Sequence, residues 1–318
     1  MSGPLRIAVL GAWHVHARDH GRALAAHPGV ELLGIWDEEA GRGRALAGQL
    51  DTEFIADREH LLGRSDLDGV VVTTATRDHD AIIAAALTAG RHVFTEKLLS
   101  PTVAGCEELI RLADQHDRVL TVSLPRLSLG CVKAVRELLE AGTLGRVVSS
   151  RVRLAHGGAL TDQLPERFYD PAEALGGAFT DLGAHPACIT QLILGEEFER
   201  VTASYAHVTA RAVEDSAVVT VTTADGAIGV IETGFVTPSG PLTLEVHGTE
   251  GSVHVGPDAD RMHLRTAEGW SRIEVPEDDP APLQQWAEAI RRHERTSENL
   301  ARARALTALV VAANAAAR

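Results

Sequence analysis

Two lysines, Lys97 and Lys133, stand among the 30 basic residues of this 318-residue chain; arginine supplies the rest. A guanidinium is a rigid, permanently charged fork, whereas an ammonium is compact and shifts its pKa on burial. A retained lysine therefore marks a place where arginine does not serve. Lys97 follows the strand-like run Arg91-His92-Val93-Phe94 and sits beside Glu96, which can tune or position it. At a strand end facing a cofactor, its ammonium can hydrogen-bond a substrate hydroxyl and stabilise a developing alkoxide; the plainer alternative is a surface ion pair. Lys133, near Arg136 and Glu137 in an exposed-looking helix, reads as that plainer case. Further chemistry lies in Gly176-Gly177-Ala178-Phe179-Thr180-Asp181-Leu182-Gly183-Ala184-His185-Pro186, where Asp181 and His185 are four apart. On one helix they share a face, and a histidine with a carboxylate neighbour accepts protons near neutral pH. Taken in isolation, the pair reads first as a capping Asp181 and a core His185.

The turn Gly11-Ala12-Trp13-His14-Val15-His16 follows the first apolar run. A dinucleotide turn would read G-x-G-x-x-G; here only Gly11 is kept, and Trp13 and His16 occupy the other two positions. The physical need is a tight turn that aims backbone N–H groups, such as those of His14 and Val15, and a helix N-terminus at a pyrophosphate. Gly11 can supply the turn, provided the Trp13 side chain points away; a plain strand–turn–helix fits as well. Asp37 ends the second strand, where an acidic side chain accepts hydrogen bonds from ribose hydroxyls. Glu38 and Glu39 add negative charge where a 2′-phosphate would lie, which predicts NAD rather than NADP; stabilising acids at a helix start are the alternative. Thr73, Thr74, Thr76 and His79 follow a buried-type strand and face the same crevice, although Thr76 or Asp78 can simply cap the next helix. His14-Val15-His16 is also a spacing that some barrel hydrolases use for metal. The chain has too few β/α units for such a barrel, and Cys106, Cys131 and Cys188 show no zinc spacing, so no metal is expected.

The elements that must position these groups change character along the chain. Strand-like runs at Leu5–Leu10, Glu31–Trp36, Thr52–Ile55, Gly69–Thr73, Arg91–Phe94 and Val119–Val122 alternate with helical stretches, including Val15–Ala26 and Asp78–Gly90. That spacing predicts an α/β Rossmann domain, a doubly wound parallel sheet, over residues 1–122. From Arg146 the pattern becomes β-rich, with runs at 146–153, 201–208, 216–223, 227–233, 242–246 and 252–255. This predicts an α+β domain over 123–318 with a large, mostly antiparallel open sheet, a helix over Asp181–Leu194 and a helical pair from about Pro282. The last helix can pack back onto the first domain.

Composition narrows the function. The formal charge of −14 repels phosphate backbones and argues against nucleic acid. No apolar run reaches the ~18 residues of a membrane span, and the N-terminus lacks signal-peptide regions. Three scattered cysteines suit thiols in a reducing compartment. A cytoplasmic location is the expectation.

With Leu5–His16, Asp37, Val72–His79, Thr95-Glu96-Lys97 and Gly176–His185 in this order, the chain resembles the Gfo/Idh/MocA oxidoreductases, the glucose–fructose oxidoreductase and inositol dehydrogenase group. The resemblance covers nearly the whole chain. It implies NAD-dependent hydride transfer on sugars, cyclitols or related polyols, assisted in proton transfer by Lys97, Asp181 and His185. It also implies a homodimer or homotetramer, and places Arg126 where the family often carries an arginine near the active site. Arg153, His156, Arg167 and Tyr169 flank the glycine-rich segment as candidate substrate contacts. The family usually follows its lysine with proline, often after a cis bond. Leu98 stands there instead, and a cis bond without proline costs roughly 2.5–4 kcal/mol, so a different local backbone is expected. Two other readings remain: NAD used internally during an elimination, or a regulatory protein that kept the fold.

Overall fold

The computed structural model describes residues 3–161, 163–258 and 261–317. The chain divides into two compact units, one of Met1–Ser123 with Ala281–Arg304, the other of Leu124–Pro280 with Ala305–Arg318.

The first unit runs β1 (Leu5–Leu10), α1 (Ala17–Ala26), β2 (Val30–Trp36), α2 (Ala40–Gln49), α3 (Arg58–Gly63), β3 (Gly69–Val72), α4 (His79–Thr88), β4 (His92–Thr95), α5 (Val103–Gln115) and β5 (Leu120–Val122). Its five strands are parallel, in the order β2-β1-β3-β4-β5. All residues of β3 and β4 are buried, as expected of parallel strands covered on both faces. The order reverses at β1, and the crevice beside β1 and β3 is where such sheets bind ligands. Thr52–Ile55, expected as a strand, forms only a bridge between Ile35 and Phe54. Ile35 N–H donates to Glu53 O and Ile55 N–H donates to Ile35 O, and the pairing extends no further. The first helix starts at Ala17 rather than Val15, with His16 as its N-cap.

The second unit holds α6 (Gly130–Glu140), β6 (Val147–Ala155), α7 (Pro171–Ala174), α8 (Ala178–Asp181), α9 (Ala184–Leu194), β7 (Arg200–Ala206), β8 (Ser216–Thr222), β9 (Ile228–Gly234), β10 (Gly240–Gly248), β11 (Ser252–Val255), β12 (Met262–Thr266) and β13 (Gly269–Ile273). The strands form one eight-stranded sheet, ordered β13-β12-β11-β10-β6-β9-β8-β7. Every neighbouring pair is antiparallel except β6 with β9. Val152 and Leu154 of β6 join Ile189 and Ile193 of α9 in the core, so one face of the sheet is covered by helix. The chain then continues through α10 (Pro282–Arg292) and α11 (Ser297–Ala316). Leu283, Trp286 and Ile290 of α10 join the first unit's core, where the Trp286 ring lies 5.9 Å from that of Phe94. All three cysteines are buried thiols. Among the described residues no helix is long and apolar enough to cross a membrane.

Candidate active site

In the first unit, Gly11 has φ +95°. A Cβ there would meet Thr74 Cγ2 at 2.5 Å and Thr74 N at 2.6 Å, so only glycine allows this turn to lie against β3's end. The turn is fixed from both neighbouring strands. Gly11 N–H donates to Trp36 O at 2.7 Å and His14 N–H to Thr73 O at 3.0 Å. Thr73 Oγ1 donates to Gly11 O at 2.5 Å. Trp13 is buried and Val15 is exposed. Thr76 opens a single 3₁₀ turn ahead of α4. Thr74 Oγ1 is a buried atom with no hydrogen-bond partner. A glycine turn that a side chain would fill, with an unsatisfied hydroxyl beside it at the sheet's switch point, fits a bound dinucleotide; Gly11, His14 and Thr74 would hold it.

Two expected cofactor contacts are engaged within the protein. Asp37 has hydrogen-bond donors from the protein on both carboxylate oxygens. Its Oδ2 accepts from Ala12 N–H at 2.5 Å and from Arg42 Nε at 3.0 Å. Its Oδ1 accepts from Glu39 N–H at 2.7 Å and from Arg42 Nη2 at 2.8 Å. Its side chain is fully buried, and that of Glu38 is 43% exposed. His79 is buried with Nδ1 2.7 Å from Leu98 O, so Nδ1–H is the donor. Burial lowers its pKa against the opposing pull of the Leu98 and Thr74 backbone. It thus ties α4 to the segment after β4, whose Lys97–Leu98 peptide is cis. The bond is cis without a proline, where the sequence led to the expectation of a different local backbone.

Lys97 and Glu96 are both buried. Glu96 Oε2 accepts from the Lys97 backbone N–H at 3.3 Å. Its Oε1 lies 3.2 Å from His16 Nδ1 and 2.6 Å from His20 Nε2. Burial pushes the Glu96 pKa up, but the charge of His14 and the bonds from His16 and His20 outweigh it, holding the carboxyl well below its ordinary range. Sequence reasoning missed His20; its spacing one helical turn beyond His16 was the available signal.

In the second unit, the expected helix over Asp181–Leu194 is two helices, with Asp181 ending α8 and His185 in α9. Pro186 has no N–H to give Leu182 O, and His185 N–H donates to it instead at 3.2 Å. Leu182 and Gly183 keep helical dihedrals through the break. The segment is held by Glu214, which sequence reasoning did not single out. Its carboxylate accepts from Gly177 N–H and Phe179 N–H at 2.9 Å each, and its carbonyl accepts from Ala178 N–H at 2.9 Å. His185 is buried. His156 stacks on Phe235 at 5.0 Å. Burial lowers its pKa, and Asp181 is near enough to pull it back up. His156 and Asp181 therefore share one neighbourhood.

Arg153 does not. It shares the sheet face of Arg151 and lies 3.8 Å from Glu232, opposite the face that Val152 and Leu154 turn to α9. Tyr169 is buried under the Arg211 guanidinium, 3.9 Å from its ring centre. Arg167 lies over Phe168 at 5.9 Å. Arg126 Nε is a buried donor with no hydrogen-bond partner. Lys133 pairs with Asp279 at 3.1 Å.

Residues 5–124 match the oxidoreductase family with an NAD-binding Rossmann fold, and residues 132–254 match the GFO/IDH/MocA C-terminal domain. The chain is 30% identical over 267 residues to a 1,5-anhydro-D-fructose reductase from Ensifer adhaerens, covering 81% of this chain and 79% of that one. It is 27% identical to a myo-inositol 2-dehydrogenase from Thermotoga maritima, over 78% of this chain and 74% of that one. The crystal structure of GenD2 from gentamicin A biosynthesis, in complex with NAD, superposes with a TM-score of 0.84 at 27% identity, covering 100% of this chain and 95% of that one. A glycine turn at the switch point of a parallel sheet, a buried lysine after β4 and an eight-stranded second unit all agree with these likenesses: the chain belongs to the Gfo/Idh/MocA family of NAD-binding oxidoreductases.

Proposed function

We propose that the protein oxidises a secondary alcohol of a sugar, cyclitol or related polyol, or reduces the corresponding ketone, with NAD preferred over NADP. The observation that carries this reading is the burial of Lys97 at the end of β4, in a chain with only one other lysine. Bound NAD supplies the hydride acceptor. The Lys97 ammonium hydrogen-bonds the reacting hydroxyl and stabilises the alkoxide as its proton leaves. Asp181 and His185 take up and relay that proton, and His156 lies beside Asp181 to orient the sugar. The names of the relatives, a sugar reductase and an inositol dehydrogenase, support the substrate class.

The test is a screen of sugars, cyclitols and their acids by absorbance of the reduced nicotinamide, repeated with Lys97→Met. The parent turns over at least one polyol, and the variant loses about 10²–10⁴-fold in kcat/KM with unchanged circular dichroism and NAD affinity. A variant within a few-fold of the parent overturns the role of Lys97.

We also infer a cytoplasmic homo-oligomer. Val218, Ile228 and Trp270 are exposed on the sheet, on the face that Arg151 shares. Light scattering that gives a monomer mass removes this part.

A further inference from the structure

We propose that His14, His16 and Glu96 form a binding site for a divalent transition-metal ion of the zinc, cobalt and nickel class. This goes beyond the redox reading and does not depend on it. Two separate pieces of chain supply the ligands: the turn from β1 into α1 gives His14 and His16, the latter as the N-cap of α1, and the segment after β4 gives Glu96. One ligand atom from each residue lies within 4.8 Å of the others, and the two imidazole rings are 4.6 Å apart.

One of the ligand pairs already stands at the spacing a small ion needs. Two ligands held at ~2.0–2.1 Å from a tetrahedral zinc stand about 3.3 Å apart; His16 Nδ1 and Glu96 Oε1 are 3.2 Å apart. Two imidazoles and one carboxylate select zinc, cobalt or nickel over magnesium or calcium, which prefer an all-oxygen shell. Three protein ligands leave one tetrahedral position for water or an incoming group. The carboxylate also has the hydrogen-bonded support that metal ligands require, from His20 Nε2 at 2.6 Å and the Lys97 N–H at 3.3 Å. The ion has an entry path, because the His16 side chain is 43% exposed while that of Glu96 is 2% exposed. His14 Nδ1 accepts from the His16 N–H at 3.2 Å; ligation through Nδ1 replaces that long contact, and ligation through Nε2 leaves it in place and releases a proton. The expectation of no metal weighed the H-x-H pair against a barrel count and the cysteine spacing; Glu96 supplies the third ligand from 80 residues farther along the chain.

The experiment uses full-length protein without a histidine tag, stripped with chelator and free of NAD and substrate. Cobalt(II) is titrated while the visible absorption bands of four-coordinate cobalt are recorded, with calorimetry for stoichiometry and zinc as the competitor. The expected result is one equivalent of cobalt with four-coordinate bands, displaced by zinc. His16→Ala, a change at an exposed side chain, weakens binding about 100-fold or more. His20→Ala removes the bond to the carboxylate and the ring contact with Phe94, leaves all three ligands, and weakens binding by about 10-fold. Circular dichroism confirms that both variants fold. No stoichiometric cobalt binding by the parent overturns the proposal, as does equal affinity in His16→Ala. Neither outcome bears on turnover, so failure here is distinct from failure of the redox reading.

Discussion

Asp37 in the first unit and Glu214 in the second do the same mechanical work in different electrostatic settings. Each is a buried carboxylate that accepts backbone N–H groups from a glycine-containing turn. Asp37 adds both forks of Arg42, so its charge is neutralised by a cation. Glu214 has Gly177 and Phe179 N–H groups and the more distant charge of His207; burial outweighs them and raises its pKa. Backbone donors alone hold a carboxylate in position, but a guanidinium is what offsets the cost of burying its charge. A turn of either kind can be rigid; only the first has its carboxylate paired with a guanidinium.

The largest effect should come from the glycines in the turns these carboxylates hold. A Cβ on Gly177 would sit 2.0 Å from Glu214 O, a backbone atom. A Cβ on Gly11 would meet Thr74 N at 2.6 Å, and φ there is +95°. Gly177→Ala and Gly11→Ala should each destabilise by about 3 kcal/mol or more, read from urea midpoints, with Gly177→Ala the worse. Gly11→Ala should in addition lose NAD affinity in calorimetry, which Gly177→Ala, folded in stabilising osmolyte, should keep. If Gly177→Ala is as stable as the parent, Glu214 does not hold the turn as described.

Acid should separate the two units next. His92 in β4 is buried and its Nδ1 accepts from Val119 N–H at 2.9 Å. Burial, helped by the charge of Arg118, pulls its pKa from the ordinary 6.5 to about 4. An unfolded histidine takes up its proton near 6.5, so between that pH and about 4 the unfolded chain binds more protons. Stability of the first unit is therefore fully present above pH 6.5 and falls as pH drops. At ~1.4 kcal/mol per pH unit the total is about 3 kcal/mol. Glu214 acts in the opposite sense: its raised pKa lets the native state take a proton before the unfolded chain does, so acidification relieves the second unit. Urea unfolding followed by fluorescence of the buried Trp286 should show the acid loss at pH 4.5 relative to pH 7, and His92→Gln should reduce it by about 3 kcal/mol, leaving the part that His79 and Glu96 contribute. The same pH difference in both proteins would show that His92 is not the group responsible.

The uneven legibility of the sequence follows from range. Continuous apolar runs such as Gly69–Val72 announce buried parallel strands because both of their faces are covered. Thr52–Ile55 has the same residue types, but partners exist only around Ile35, and composition does not reveal how far a pairing extends. The opposite error occurs at β12 and β13, two five-residue strands; β13 is the edge of the sheet and mostly exposed, so little apolar patterning marks it. In the candidate site, Gly11, Lys97, Asp181 and His185 were visible as residue types at sensible spacings. The partner of a side chain was not: Asp37 to Arg42, Glu96 to His16 and Glu214 to Gly177 each depend on where a turn or helix brings a distant group. The cis bond after Lys97 carries no residue signal once proline is absent.

The smallest predicted effect tests what Arg42 does for cofactor choice. Its guanidinium binds the buried Asp37 carboxylate at 2.8 Å and reaches Glu38 at 3.4 Å. The adenosine ribose end of the nucleotide belongs at the end of β2, where Asp37 and Glu38 lie. As long as Arg42 is present, it cancels part of the negative charge that would repel a 2′-phosphate. Arg42→Ala leaves that charge uncompensated while the Ala12 and Glu39 N–H groups still hold Asp37 in place. Discrimination against NADP, measured as the ratio of kcat/KM values for the two cofactors, should rise by about tenfold, or ~1.4 kcal/mol. The NAD value itself should change by less than that factor. The comparison with Glu214 makes the sign informative, because removing the cation should turn Asp37 into a carboxylate held by backbone donors alone. If NADP is used better by the variant than by the parent, Arg42 is repelling the nucleotide by bulk rather than masking charge, and Asp37 is not the residue that selects NAD.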